Sequence, residues 1–323
     1  MTQADSASTS VIPPAIRPGD KIAVPAPASP VGDDLLAGLG VLGRRYRIAI
    51  DPQVRSAAGF LAGSDDRRAG ELNAYLADPD VRGIWIARGG YGIMRILPLL
   101  DGDLLRRDPK PIIGFSDGTA LLAWAHKIAG VRGIHGPVVT QLGRLPAADA
   151  VWAMDLAEGA LPREPVAIAL TVHGEPRGQF SGPLVGGNLC LVARLVGTPY
   201  AVDFSGAVAF FEEVGERPYR IDRDLTQIML ATGPGSSPNA PGGPCRRTGE
   251  NLAGARCAVI GDLVDCGDAR PIIAERLGAA GLAGAFGLPV GHGRRNRAVP
   301  FGARVTLDGA SGTLSLDEPA TRA

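Results

Sequence analysis

Short apolar runs alternate with amphipathic stretches through the first half of the chain. Residues 21–24 (KIAV), 47–50 (RIAI), 83–87 (GIWIA) and 111–115 (PIIGF) have the length and branched apolar content of buried strands. Between the second and third, Ser64 stands where a helix N-cap belongs. Asp65 and Asp66 follow in the first turn, where negative charge suits the helix dipole, and Leu72 and Leu76 lie four apart on one face. Strand, helix and strand in that order make a βαβ unit, which predicts a parallel sheet flanked by helices. A further helix over 117–128 follows the fourth run with almost no loop.

Prolines between residues 161 and 177 break this alternation. They put a linker region at 151–180, between an N-terminal domain of residues 1–150 and a C-terminal domain of 181–323. The total of 323 residues suits two domains of about 150 each. Beyond the linker the pattern predicts a helix over 188–196, a strand over 207–211, a helix over 221–230 and a strand over 257–260. Two short alternations, 304–307 and 313–316, flank Asp308-Gly309 and predict a terminal hairpin. Residues 233–249 are rich in proline and glycine and read as a surface loop.

Composition narrows the partners. Thirty-three basic residues balance 33 acidic ones, so no global field draws the chain to nucleic acid or an anionic membrane, and a small molecule is the expected partner. The first ten residues carry no basic group and no apolar core of a signal peptide follows, and no run reaches 18 apolar residues; the expected location is the cytoplasm. Cys190, Cys245, Cys257 and Cys266 form no CxxC pair and the four histidines are scattered, so neither a zinc site nor another cofactor is expected.

The strongest local signal for chemistry is Gly114-Phe115-Ser116-Asp117-Gly118, a G-x-S-x-G between a strand and a helix. Such a turn lifts a serine hydroxyl above the sheet edge and aims the N–H groups of the helix start, that of Asp117 included, at an oxyanion. The plainer reading of Ser116 is a helix cap. A nucleophilic serine needs a base, for which His126, His135, His173 and His292 are the candidates. His292, in the glycine-flanked loop Gly291-His292-Gly293, suits the role best. The imidazole in turn needs a carboxylate to fix its tautomer. Glu212 and Glu213 end the 207–211 strand, and alternation sends them to opposite faces, so one of the two can serve. Serine in one domain and carboxylate and histidine in the other place the site in an interdomain cleft. Gly89, Gly90 and Gly92 follow the 83–87 strand; their spacing is not that of a dinucleotide loop, and it suits an oxyanion loop better.

Several stretches together resemble one family. Residues 60–65 (FLAGSD), 87–92 (ARGGYG), 114–117 (GFSD) and 135–137 (HGP) are similar to the N-terminal half of the LD-carboxypeptidase family of serine peptidases. Residues 186–189 (GGNL), 211–216 (FEEVGE), 218–223 (PYRIDR) and 291–293 (GHG) are similar to its C-terminal half. The resemblance implies an α/β fold, with a doubly wound parallel-sheet N-terminal domain and a smaller β-rich C-terminal domain, assembled as a homodimer. It implies a triad of Ser116, Glu212 and His292, with the N–H groups of Gly90 and Asp117 as oxyanion donors. The implied reaction is hydrolysis of the L,D peptide bond that releases terminal D-alanine from muropeptides during cytoplasmic cell-wall recycling. Arg88, Tyr91, Asn188 and Arg220 are the residues expected to meet substrate, the two arginines as carboxylate ligands. A microcin-immunity branch of the same family, cleaving an amide between a peptide or amino acid and a nucleotide, is the second expectation. A non-catalytic binding protein hinged between two lobes is the third.

Overall fold

The computed structural model describes residues 10–161, 168–169, 171–173, 178–231 and 251–323. The predicted loop 233–249 and Cys245 lie outside the described residues. Strands β1 (Lys21–Ala23), β2 (Arg47–Ala49), β3 (Val81–Trp85), β4 (Ile112–Gly114) and β5 (Gly133–His135) pair in parallel, in the order β2-β1-β3-β4-β5. β1, β3, β4 and β5 are short and largely buried, as strands covered by helices are, whereas β2 lies at the sheet edge with Arg47 exposed. The order reverses direction between β1 and β3, and in such sheets ligands bind over the carboxyl ends of the strands.

The second sheet begins with β6 (Ile168–Ala169), β7 (Thr171–His173), β8 (Gln179–Asn188), β9 (Val208–Val214), β10 (Cys257–Val264) and β11 (Gly284–Phe286). The chain then crosses back. Strand β12 (Val299–Phe301) pairs antiparallel with β5 at the edge of the first sheet, and β13 (Arg304–Asp308) with β14 (Thr313–Leu316) completes the second, of order β6-β14-β13-β8-β9-β10-β11-β7. Strands β8 to β11 are parallel and the rest antiparallel. The fold is α/β, a doubly wound parallel sheet beside a second sheet richer in strands, and one continuous apolar cluster fills both. No helix among the described residues is long and apolar enough to cross a membrane.

Several elements follow from local chemistry. Ser64 accepts a hydrogen bond from the N–H of Arg67 at 3.2 Å and starts helix Asp65–Ala77, with Leu72 and Leu76 buried. Helix Pro218–Met229 begins three residues ahead of the predicted 221, because Pro218 takes the first turn, where its missing N–H costs nothing. The terminal hairpin turns over residues 308–312, with the Asp308 carboxylate accepting the N–H groups of Ala310 and Ser311 at 2.9 and 3.0 Å.

Two elements depart from the sequence reading. Residues assigned partly to the linker form a helix, Ala147–Ala157, whose Asp149 pairs with Arg295. Strand β8 occupies residues in which Gly182, Pro183, Gly186 and Gly187 signal turns. Proline survives there because the strand changes neighbours at that residue: Pro183 is matched to Arg304 of β13, while pairing with β9 begins at Leu184.

Candidate active site

The first sheet supplies the hydroxyl. After β4 the chain turns so sharply that Ser116 adopts φ 59°, one of two non-glycine residues with positive φ among those described. A side chain in that region costs about 1–3 kcal/mol and persists when the surroundings force it. Here the surroundings do: the N–H of Gly118 binds the Phe115 carbonyl at 2.9 Å, that of Thr119 binds the Ser116 carbonyl at 2.9 Å, and helix Gly118–Trp124 follows. A Cβ at Gly114 or Gly118 would meet Ile86 Cδ1 at 2.5 or 3.0 Å, so glycine on both sides of the serine lets the turn lie close against Ile86, just after β3, without moving that side chain.

The loop after β3 lies against the same serine. A Cβ built on Gly89 would stand 3.3 Å from Ser116 Oγ, and Gly90 at φ 112° packs over Ser29. Among the described residues the N–H groups of Gly90 and Asp117 have no protein acceptor. Gly90 is exposed and Ser116 half-buried, so this corner is open to a ligand.

The second sheet supplies the other two side chains. Alternation along β9 turns Glu212, fully buried, toward the first sheet, where its Oε2 lies 2.8 Å from His292 Nδ1. His292 Nε2 lies 3.1 Å from Ser116 Oγ. A carboxylate can only accept, so the proton sits on Nδ1 and Nε2 is left to accept from the serine hydroxyl. His292 belongs to the segment crossing from β11 back to β12, which is why an imidazole carried on the second sheet reaches the first. Gly291 at φ 132° lets that segment approach: a Cβ there would be 2.9 Å from Glu212 Oε2. The N–H of Gly291 binds Asn296 Oδ1 at 3.2 Å, Asn296 binds Gln141 at 3.0 Å, and the Phe115 ring lies 4.7 Å from the imidazole.

Residues 22–136 match the LD-carboxypeptidase N-terminal domain and residues 181–233 match the LD-carboxypeptidase C-terminal domain. The murein tetrapeptide carboxypeptidase of Pseudomonas aeruginosa is 32% identical, over 90% of this chain and 93% of its own. The chain belongs to the LD-carboxypeptidase family. The solved muramoyltetrapeptide carboxypeptidase from Oxalobacter formigenes superposes with a TM-score of 0.76 at 25% identity, covering 94% of this chain and 100% of that one. An MccF-like protein from Bacillus anthracis superposes with a TM-score of 0.81 at 20% identity, covering 96% and 100%. At that identity the likeness is one of fold.

Within this LD-carboxypeptidase frame the neighbouring carboxylate does something else. Glu213 faces away from His292 and accepts from Asn188 Nδ2 at 2.9 Å, the Cys190 N–H at 2.8 Å and the Val214 N–H at 2.8 Å, tying β9 to the start of helix Leu189–Leu195. Burial pushes its carboxyl up to about 7 in spite of these donors. Between pH 4.5 and 7 the folded chain therefore holds a proton that the unfolded chain has released. Stability present below pH 4.5 is lost as the pH rises through 7, by about 3 kcal/mol for such a shift. Glu213→Gln cannot titrate and is expected to show a shallower fall of melting temperature between pH 4.5 and 7.5 than the parent; equal slopes refute the assignment. Glu71, pushed up to about 7 by burial, leaves some of the slope in place.

Of the residues expected to meet substrate, Arg88 and Tyr91 flank the Gly89–Gly90 turn. Arg88 is exposed and its Nη1 donates to the Pro30 carbonyl at 2.5 Å; the Tyr91 ring lies against Phe60, 5.6 Å between centroids. Asn188 is buried, and its amide is used on Glu213 and, as a helix cap, on the Leu191 N–H at 3.2 Å. Arg220 is exposed and pairs with Glu216 at 3.2 Å. His135 is enclosed by the rings of Phe115 and Phe210, and burial, with the charge of His292, pushes it down to about 3. His126 packs on Phe301, and burial lowers its pKa also.

Pattern reading missed the brace beneath the corner formed by Gly90 and Asp117. The buried Asp117 carboxylate accepts from the Ile93 N–H at 2.8 Å, and the buried Arg68 donates to the carbonyls of Pro27 and Gly92 at 2.5 and 2.8 Å while pairing with Asp65. Together they lock the loop after β3 to the serine turn. Burial pushes Asp117 up to about 6. Its place after the serine was visible, but a buried Arg looks like any surface Arg in a sequence.

Proposed function

We propose that this chain is a serine peptidase that hydrolyses an L,D peptide bond and releases terminal D-alanine from muropeptides. The observation that carries the reading is the single imidazole bridging Ser116 at 3.1 Å and Glu212 at 2.8 Å across the two sheets. Murein tetrapeptide carboxypeptidase activity in the relatives' names supports the substrate class. In the first step His292 Nε2 takes the Ser116 proton as Oγ adds to the scissile carbonyl, and Glu212 stabilises the imidazolium through Nδ1. The N–H groups of Gly90 and Asp117 stabilise the tetrahedral oxygen, from fixed positions and with no reorganisation at the moment of reaction. His292 returns the proton to the leaving amine of D-alanine, and water, deprotonated by the same nitrogen, releases the acyl group.

A carboxypeptidase must also hold the terminal carboxylate. Arg88 suits this better than Arg220: it is two residues from Gly90, one branch of its fork is fixed on a carbonyl, and the remainder faces solvent. Arg220 is already engaged by Glu216. The decisive assay offers a tetrapeptide ending in an L,D-linked D-alanine, a pentapeptide ending in a D,D bond, and an aminoacyl-nucleotide amide. Free D-alanine from the first alone is the expected result. Cleavage of the nucleotide amide alone assigns the protein to the immunity-type reaction instead, and no turnover of any of the three overturns the reading.

A further inference from the structure

Strands β9 and β10 pair in regular register from Cys257↔Val208 to Ile260↔Phe211, and then slip: Leu263 is matched to Glu213. Strand β10 thus carries one extra residue at Gly261-Asp262, opposite Glu212. Bulges re-aim side chains, and this one turns Asp262 toward the segment that carries His292. The Asp262 N–H binds the Val290 carbonyl at 2.9 Å, and its Oδ2 accepts from the Gly293 N–H at 3.1 Å. The two contacts bracket His292 on either side. The fit is close: a Cβ on Gly261 would lie 2.5 Å from the Val290 carbonyl oxygen, and one on Gly291 would lie 3.1 Å from Asp262 Cβ. A Cβ on Gly293 would overlap the Asp262 carboxylate itself.

We propose that Asp262 is a positioning residue for His292, clamping residues 290–293 so that the imidazole stands between Glu212 and Ser116, and adding a second negative charge that favours the imidazolium. The proposal rests on the serine-peptidase reading of that triad. Asp262 is half-buried, and among the described residues its other oxygen, Oδ1, has no hydrogen-bond partner. Burial, with Glu212 beside it, raises the Asp262 carboxyl above its ordinary range against the pull of the Gly293 N–H and of His292, which places Asp262, Glu212 and His292 in one electrostatic neighbourhood. The groups around the imidazole are Glu212 from β9, Asp262 from β10, Ser116 from the turn after β4 and His135 from β5; on its own loop Arg295 is paired with Asp149 and Arg294 is exposed. Two carboxylates are the only anions in that set, and removing either weakens the hold on the charged ring.

Asp262→Asn retains an oxygen for the Gly293 N–H and removes the charge, whereas Asp262→Ala removes both. The pKa of His292, followed by the NMR titration of its Cε1 proton, is expected to fall by about 0.5–1 unit in both variants. The acid limb of kcat/KM for D-alanine release shifts to lower pH by the same amount. Asp262→Ala loses a further 10-fold or more in kcat, on the order expected when a catalytic group is misplaced, with KM little changed. An unmoved His292 titration in Asp262→Asn, or kcat within twofold of the parent in Asp262→Ala, overturns the proposal. The NMR readout needs no turnover, so a failure of the peptidase reading would show in the assay of the parent protein and not in the His292 titration.

Discussion

Ser116→Ala is expected to lower kcat for D-alanine release by roughly 10⁵-fold, with KM and the circular dichroism spectrum unchanged. The substitution removes Oγ and its 3.1 Å contact with His292, but neither the turn nor the N–H groups of Gly90 and Asp117. Residual rate over water then comes from those donors and from binding. His292→Ala should cost about as much, and the double variant little more, because the two groups act as one unit and their losses do not add. Ser116→Gly separates chemistry from strain: it abolishes turnover equally but relieves a backbone held at φ 59°. Its unfolding free energy is expected to rise by about 1 kcal/mol, measured by denaturant titration. Undiminished D-alanine release by Ser116→Ala removes the nucleophile assignment. A nucleophile that stabilises the fold when replaced by glycine is the signature of strain kept for reactivity.

The parallel sheet was readable because its inner strands are short, buried apolar runs and its turns carry the serine and the glycines in local patterns. Ser116 and the Gly89–Gly92 loop lie at adjacent strand ends, where a sequence-local rule already predicts ligands. The meeting of Glu212 and His292 was readable in a weaker sense: alternation separates Glu212 from Glu213 but does not say which face looks at the serine. That depends on how β8 pairs with β9, Asn188 against Glu212, and β8 is the strand whose glycines and proline hid it. Asp262 was hidden for a related reason. A one-residue slip between neighbouring strands is a property of the pair, and neither sequence carries it alone. The helix Ala147–Ala157 was hidden by the prolines that follow it, although Asp149 and Arg295 show that it supports the loop bearing His292.

The same pairing makes Gly186→Ala a strongly destabilising substitution. Gly186, at φ 141° and matched to Phe210, would place a Cβ 1.9 Å from the Phe210 carbonyl oxygen, 2.9 Å from its carbon and 3.0 Å from its nitrogen. These are backbone atoms in the middle of a sheet, so no side chain can swing aside, and an L residue in that region of φ adds its own strain. Strands β8 and β9 would have to separate at Phe210, just ahead of Glu212, and the carboxylate would leave His292 with them. Gly186→Ala is therefore expected to lose roughly 3–5 kcal/mol of unfolding free energy, and to lose activity at temperatures where the parent is still folded. Gly70→Ala is the control with opposite sign. Gly70 is exposed inside helix Asp65–Ala77 with nothing within 4 Å of a new Cβ, so alanine there should stabilise by up to about 1 kcal/mol. Denaturant midpoints for the two variants, measured side by side, decide the matter. If Gly186→Ala unfolds with Gly70→Ala, then β8 and β9 do not approach as closely as 1.9 Å requires, and the route by which Glu212 reaches His292 must be redrawn.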